Sequence, residues 1–238
     1  MSEASRREAL RGIGLSAAAL AVGCGAETSE APPAAPARAR GGDVPAPTVD
    51  LMKEHGVLDR VLLVYDEAAR RLRADEPVEP AVVRGAAGVV RDFVQAVHEA
   101  IEERHVFPLV RDAGRHRALV DTLLRQHEAG RELTRWILDH AADGDARLGE
   151  ALTSFTRMYR PHAGREDTVL FVAFRELATP AQRTSVMEGI EALEQERMGE
   201  GGYERFIATI GELERRLSIH ALGAFTPSAP TADEASAG

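Results

Sequence analysis

His98-Glu-Ala-Ile-Glu102-Glu-Arg-His-Val-Phe and His162-Ala-Gly-Arg-Glu166-Asp-Thr-Val-Leu-Phe are two versions of one pattern. In each, a glutamate follows the histidine by four positions, a second acid comes next, and a phenylalanine closes the stretch. Four positions are about one turn of an α-helix, so the imidazole and the carboxylate lie on one face and can hold a single ion. The duplication predicts two helices that carry matching metal ligands.

Two further histidines stand alone. His55 closes Leu-Met-Lys-Glu-His and His127 closes Leu-Leu-Arg-Gln-His, so that one single histidine precedes each pair along the chain. Imidazoles are good ligands for iron, zinc and copper, and carboxylates can bridge two ions. The candidate metal ligands are His55, His98, Glu102, His127, His162 and Glu166.

Apolar residues recur at steps of three and four, which is typical of helices with one buried face. The steps predict four helices, at about residues 48–72, 80–108, 117–143 and 145–177. In the fourth, the repeat runs through Tyr159, His162, Glu166 and Val169, so both candidate ligands belong to the buried stripe. A buried carboxylate without a partner costs several kcal/mol, so these positions favour a bound cation.

Short connections with Gly, Asp or Pro separate the predicted helices, and short connections make successive helices antiparallel neighbours. We therefore predict an all-α protein, an up-down-up-down four-helix bundle with one or two C-terminal accessory helices from about 180–198 and 203–219. The bundle domain spans residues 47–225. Residues 25–46, rich in Ala, Pro, Gly and Glu, are predicted to form a disordered linker, and residues 226–238 a disordered tail.

Residues 1–24 have the features of an export leader. Arg6 and Arg7 form a twin-arginine pair, and the apolar run that follows is too short to span a bilayer as a helix. The run ends at Cys24, the only cysteine, within Ala-Val-Gly-Cys, which resembles the site where bacterial lipoproteins receive their lipid. We predict export to the periplasm or cell envelope; a lipid anchor on Cys24 and a simple cleaved leader both remain open.

Composition limits the other functions. The chain has 238 residues with 44% hydrophobic residues, enough for one packed domain and its tails. Its formal net charge is −9, and phosphate backbones require clustered positive charge, so nucleic acid is not an expected partner. With a single cysteine, neither an internal disulfide nor a thiolate metal cluster can form.

The two quoted stretches, with the two single histidines, resemble the hemerythrin-like, or HHE cation-binding, proteins. The close Leu-Gly-Ala-Phe-Thr-Pro at residues 222–227 resembles the family as well, so the resemblance covers about 49–225. It implies a four-helix bundle around a non-haem di-iron centre, two iron ions bridged by carboxylate and by oxo or hydroxo groups. Carried over by position, the four histidines become iron ligands and Glu102 and Glu166 become bridges.

The chain departs from the oxygen-carrying hemerythrins at two places. They have a second histidine four positions after the third-helix one, where this chain has Arg131. They also bridge with an aspartate five positions after the last histidine, so Asp167 competes with Glu166, which we favour because it repeats Glu102. With one histidine fewer, the site is expected to be more symmetric and more open to small ligands.

Neighbouring residues have less specific interpretations. Ferritin-like di-iron proteins carry Glu-x-x-His, with the opposite order and a spacing of three, so that class fits poorly. Flanking Glu99 and Glu103 are expected to be solvated, with a role as a terminal ligand as the alternative. Tyr65 and Tyr159 lie on the buried stripes of their helices. Plain core packing and a role beside the metal, as a hydrogen-bond donor or a source of an electron, are both possible for them. Three histidines are expected at helix ends on the surface: His116, His140 and His220. His105 follows His98 by seven positions on the same face, so a role as an outer or substitute ligand stays open.

Three functional classes follow from the resemblance. We favour a binding protein, more a metal and gas binder than an enzyme, whose di-iron centre interacts with dioxygen, related oxidants such as peroxide, or nitric oxide, for sensing or buffering. The alternatives are a di-iron enzyme that consumes peroxide, oxygen or nitric oxide, and an iron storage or donation protein. The sequence does not identify a redox partner or an oligomeric state.

Overall fold

The computed structural model describes residues 46–228, and every regular element in that range is helical. The predicted all-α class is thus confirmed for this part of the chain. Six helices follow one another, and we number them in chain order. They are Pro47–Arg73, residues 80–112, Arg117–His140, residues 146–177, Pro180–Arg197 and Gly202–Arg216, followed by a 3-10 turn at Leu222–Phe225.

The second and fourth helices contain π-helical segments. In the second, Pro80–Val89, Glu99–Ile101 and Phe107–Asp112 are α-helical, whereas Val90–His98 and Glu102–Val106 are π-helical. The fourth is α-helical over Ala146–Arg165 and Phe171–Leu177, with a π-helical segment at Glu166–Leu170 between them. π-segments are rare and often lie at functional sites, and both helices place one at a candidate ligand.

The π-segment changes which residues of the fourth helix are buried. The three-four repeat predicted that Val169 would follow Glu166 on the buried stripe. In the structure Leu170 is fully buried instead, and Val169 is only half-buried. An i→i+5 turn widens the helix locally, so the positions after Glu166 rotate relative to a regular α-helix.

The first four helices pack in a ring. The first contacts the second and the fourth, and the third contacts the same two helices. The fifth and sixth helices lie outside this ring, against the first and second. Glu214 of the sixth helix accepts two hydrogen bonds from Arg60 of the first, at 2.8 and 2.6 Å. This fork-to-fork ion pair holds the sixth helix in place.

Short loops of residues 74–79, 113–116, 141–145 and 178–179 join the first five helices, as predicted. The start of the fourth helix is capped by Asp145, whose side chain accepts from the Leu148 amide at 3.0 Å. Among residues 46–228, no helix is long and apolar enough to cross a membrane. The predicted leader, Cys24 and nearly all of the predicted linker lie outside the described residues.

Candidate metal centre

All six predicted ligands are buried, and they meet in the interior of the ring of helices. Each residue is at most 4% exposed, which is unusual for histidine and glutamate. Each of the four helices contributes one histidine, and the second and fourth each add a glutamate. The residues brought together are His55, His98, Glu102, His127, His162 and Glu166.

The histidines form two close pairs. The Nε2 atom of His55 lies 3.1 Å from Nε2 of His98, and that of His127 lies 3.2 Å from Nε2 of His162. Two imidazole nitrogens that face each other at this distance repel unless a proton or a cation lies between them. Each pair therefore marks a point where positive charge is favoured.

Glu166 connects the two pairs. Its Oε1 atom lies 3.0 Å from Nε2 of His162, and its Oε2 atom lies 3.3 Å from Nε2 of His55. The two oxygens of one carboxylate thus point toward different histidine pairs. A carboxylate that bridges two cations uses this arrangement.

Glu102 lies between the same two pairs from the opposite helix. Its Oε2 atom is 3.5 Å from Nε2 of His98 and 3.6 Å from Nε2 of His127. Among the described residues, neither oxygen of Glu102 nor of Glu166 has a hydrogen-bond partner with suitable geometry. Four buried carboxylate oxygens without donors are costly, which is the pattern expected where a cation supplies the missing contact.

The outer nitrogen of every site histidine is engaged. Each Nδ1 atom is hydrogen-bonded to a side-chain oxygen of a neighbouring residue, which fixes the ring and directs Nε2 toward the centre. The partners of metal-binding histidines in proteins are typically carboxylates or carbonyl oxygens of this kind. The contacts are His55 to Asp167 at 2.8 Å, His98 to Glu54 at 2.7 Å, His127 to Glu103 at 2.9 Å and His162 to Gln126 at 2.9 Å.

These contacts separate two acids that the sequence left in competition. Glu166 lies at the centre between the histidine pairs, whereas Asp167 holds the outer nitrogen of His55. Two other expectations were wrong. Glu99 is not solvated but 1% exposed, and Glu103 is half-buried against His127. The apolar repeat could not predict their burial, because the π-segments change which side chains face inward.

Charges within the centre are strongly coupled. Burial lowers the pKa of His55, but the hydrogen bond with Asp167 and the nearby Glu166 carboxylate outweigh it and raise the pKa to about 9. Burial and the charge of Glu166 raise the pKa of Glu102 well above its ordinary value. Burial alone would raise the pKa of Glu166. The neighbouring His162 and His55 together have the larger effect and lower this pKa below its ordinary value, so the carboxyl stays ionised. The ionised Glu166 carboxylate therefore favours positive charge on the groups that face it.

A second network lies beside the His127 pair. The Tyr159 hydroxyl donates to Glu99 Oε1 at 2.5 Å, and the Arg131 guanidinium lies 2.8 Å from Glu99 Oε2. Arg131 also donates to Glu103 at 2.5 Å. Gly130 makes room for this arrangement, because a Cβ atom there would lie 2.1 Å from the Tyr159 hydroxyl oxygen. Arg131 thus contacts both Glu99 and Glu103, two acids that were predicted to be solvated.

The phenylalanines that close the two quoted stretches also have a place. Phe107 stacks on His127 with ring centroids 5.5 Å apart, and Phe171 stacks on His55 at 5.7 Å. Each phenylalanine therefore covers the single histidine of the next helix around the ring, His127 of the third helix and His55 of the first. The repeated spacing reflects this pseudo-twofold packing, and both rings exclude water from the centre.

The other histidines lie away from the centre. His116 and His220 are exposed. His140 is half-buried, stacks on Trp136 and hydrogen-bonds to its carbonyl oxygen. His105 is half-buried and belongs to none of the buried histidine and acid groups found among the described residues. The structure thus separates these four histidines from the six candidate ligands.

The donor set fits a pair of transition-metal cations. The ligands form two groups, and within each group the ligand atoms lie within 4.8 Å of one another. One group is His55, His98, Glu102 and Glu166, and the other is His127, His162 and Glu166. Imidazole nitrogens combined with carboxylate oxygens suit iron, zinc or manganese better than calcium or magnesium. The residues that sequence reasoning missed are those holding the outer nitrogens, whose spacing carries no separate signal.

Comparison with known proteins places these observations in a family. The Hemerythrin HHE cation binding domain matches residues 46–174, which include all six candidate ligands. An uncharacterized protein of Mycobacterium bovis and two of Mycobacterium tuberculosis are 37% identical over 186 residues, which are 75% of this chain and 73% of theirs. No solved structure shows a significant match.

Proposed function

The chain belongs to the hemerythrin HHE cation-binding family, and from that premise we propose that its buried histidines and glutamates bind two iron ions. A single observation carries the proposal. Four Nε2 atoms and four carboxylate oxygens face one another in the interior, and the carboxylate oxygens have no hydrogen-bond donor among the described residues. All four imidazoles are oriented from outside by hydrogen bonds, as metal-binding histidines are.

The proposed scaffold is an up-down-up-down four-helix bundle. Its support is the ring of contacts among the first four helices and the short loops that join them. In such a bundle each helix presents its ligands inward, so the centre is held by four rigid elements. The fifth and sixth helices would then cover one side of the bundle.

In the proposed centre, His55 and His98 would hold one ion and His127 and His162 the other. Glu102 and Glu166 would offer carboxylate oxygens to both, as their positions between the pairs suggest. Each ion would thus have four protein ligands, which leaves coordination positions open to a small molecule. When bound, an iron pair supplies reversible one-electron chemistry and an affinity for dioxygen, peroxide and nitric oxide.

The protein's own residues would determine how such a ligand is received. Phe107 and Phe171 keep water away from the histidine rings, and a dry surrounding strengthens every electrostatic contact inside. We propose that the physiological role is to bind dioxygen, a related oxidant or nitric oxide, for sensing or buffering. Arg131, in the place of a further histidine, favours a role other than oxygen carriage.

The test is a comparison of three behaviours on the iron-loaded full-length protein. A binding protein forms stable adducts with nitric oxide or dioxygen and releases little iron to a chelator. An enzyme removes many equivalents of peroxide, and an iron donor loses its metal readily to a chelator. Stable adducts at two irons per chain would support the proposal, and rapid iron loss without any adduct would refute it.

Export remains part of the proposal, supported by the twin-arginine pair and the apolar run before Cys24. The twin-arginine route carries folded proteins, so the centre could be filled before export. Cell fractionation of the full-length protein and a variant with both Arg6 and Arg7 replaced by lysine tests it. Export of the wild type alone supports the proposal, and equal distribution of the two contradicts it. Mass analysis of the exported N-terminus would show whether Cys24 carries a lipid.

A further inference from the structure

Tyr159 is buried against the His162 ring and has a proton acceptor. Its ring centroid lies 5.3 Å from that of His162, which belongs to the metal centre under the proposed function. Its hydroxyl donates to the buried Glu99 carboxyl group at 2.5 Å. The tyrosine is thus adjacent both to the centre and to a base.

The Glu99 carboxylate is held in place for this contact. Its second oxygen lies 2.8 Å from the Arg131 guanidinium, which also donates to Glu103, and Glu103 contacts the outer nitrogen of His127. Hydrogen bonds and ion pairs therefore connect the Tyr159 hydroxyl to a site histidine. The absence of a side chain at Gly130 leaves the space that the hydroxyl occupies.

The other tyrosines of the chain lack this combination. Tyr65 is fully buried, but its hydroxyl has no hydrogen-bond partner among the described residues. Tyr203 is half-buried beside Phe93, in the sixth helix outside the ring. With three tyrosines in the sequence, each can be removed singly. The chain thus contains its own controls.

We propose that Tyr159 is a redox-active residue that gives one electron to the metal centre and its phenolic proton to Glu99. Loss of an electron makes a phenol strongly acidic, so oxidation in a dry interior requires a base within hydrogen-bond reach. Glu99 meets that requirement, and Tyr65 has no such base. This inference rests on the proposed function, since it needs a metal centre beside His162.

The chemical balance involves hydrogen peroxide as the oxidant. Its O–O bond is cleaved as two electrons, together with two protons from solvent water, convert it into two water molecules. Tyr159 supplies one of these electrons, and the other would come from ferrous iron held by the site. The Tyr159 O–H bond is broken, the proton passes along the hydrogen bond to Glu99, and a neutral tyrosyl radical remains. An external reductant of the thiol or ascorbate class then supplies one electron to the radical and one to the iron, and the proton held by Glu99 returns to the phenolic oxygen.

The test is electron paramagnetic resonance of the iron-loaded full-length protein, frozen after mixing with hydrogen peroxide. We expect an organic radical signal whose hyperfine splitting collapses when the protein is grown with ring-deuterated tyrosine. The signal should be lost in Tyr159→Phe and kept in Tyr65→Phe and Tyr203→Phe. Glu99→Gln, which keeps the shape but removes the base, should lose most of the signal per bound iron.

Iron content measured on the same samples separates the possible failures. A wild-type protein with two irons but no tyrosyl signal would overturn this inference and leave the metal centre standing. A signal that survives in Tyr159→Phe, or is lost equally in Tyr65→Phe, would also overturn it. A wild-type protein that binds no iron would refute the proposed function and this inference with it.

Discussion

Replacing Glu102 by glutamine should change how stability depends on pH in protein stripped of metal by a chelator. Glu102 is fully buried, and burial together with the charge of Glu166 raises its pKa well above the ordinary value. Above pH 4.5 an unfolded glutamate loses its proton, whereas the folded Glu102 keeps it. The folded state then binds one more proton, so stability falls as the pH rises through this window.

The size of the effect follows from proton linkage. One such carboxyl contributes a slope of up to about 1.4 kcal/mol per pH unit, hence at most about 3 kcal/mol between pH 5 and pH 7. Glutamine at position 102 has no proton to lose, so the variant should lack this part of the slope. With ordinary urea dependence, the difference between the urea midpoints of the two proteins should change by up to roughly 1 to 3 M over the same pH range.

The assay is urea unfolding of the chelated wild type and Glu102→Gln at pH 5, 6 and 7. Titratable groups that do not interact with Glu102 contribute equally to both proteins and cancel in the difference. Glu188→Gln, at an exposed position, serves as the matched control and should follow the wild type. If wild type and Glu102→Gln gave parallel curves, the reasoning on Glu102 would be refuted.

Three further predictions concern the surroundings of the centre. Gly130→Ala should displace Tyr159, since the new Cβ would lie 2.1 Å from its hydroxyl oxygen. We expect the free energy of unfolding, measured by chemical denaturation, to fall by about 1–3 kcal/mol, and an unchanged value would contradict this prediction. Asp167→Asn should weaken iron binding by about 10- to 100-fold in competition titrations, because Asp167 orients His55, and complete loss of iron would instead indicate a direct ligand. His220→Ala, at an exposed position, should change neither iron content nor stability.

Much of the centre was accessible from sequence because ligand chemistry repeats along the chain. The pairs His98 with Glu102 and His162 with Glu166 follow helical spacing, and the structure brings both pairs together with His55. Local periodicity also predicted where each helix lies, because the buried stripe and the loop residues agree. These signals depend on neighbours in sequence, which is why a single chain is enough to read them.

The surrounding contacts were not accessible, because they join distant helices. Glu54 and His98 are 44 positions apart, and Tyr159 lies 60 positions from Glu99. No spacing rule links such residues. The π-segments were missed for another reason: the extra residue per turn leaves no signal in an apolar repeat, yet it buries Glu99 and rotates Val169 outward.

The central claim is that two cations bind among the six buried ligands. The most direct measurement is anaerobic titration of chelated full-length protein with ferrous iron, with bound iron counted after gel filtration, for the wild type and His162→Ala. The account predicts two irons per chain in the wild type and a loss of at least one in the variant, because His162 faces His127 in one of the two pairs. No iron in the wild type, or equal content in both proteins, would contradict it.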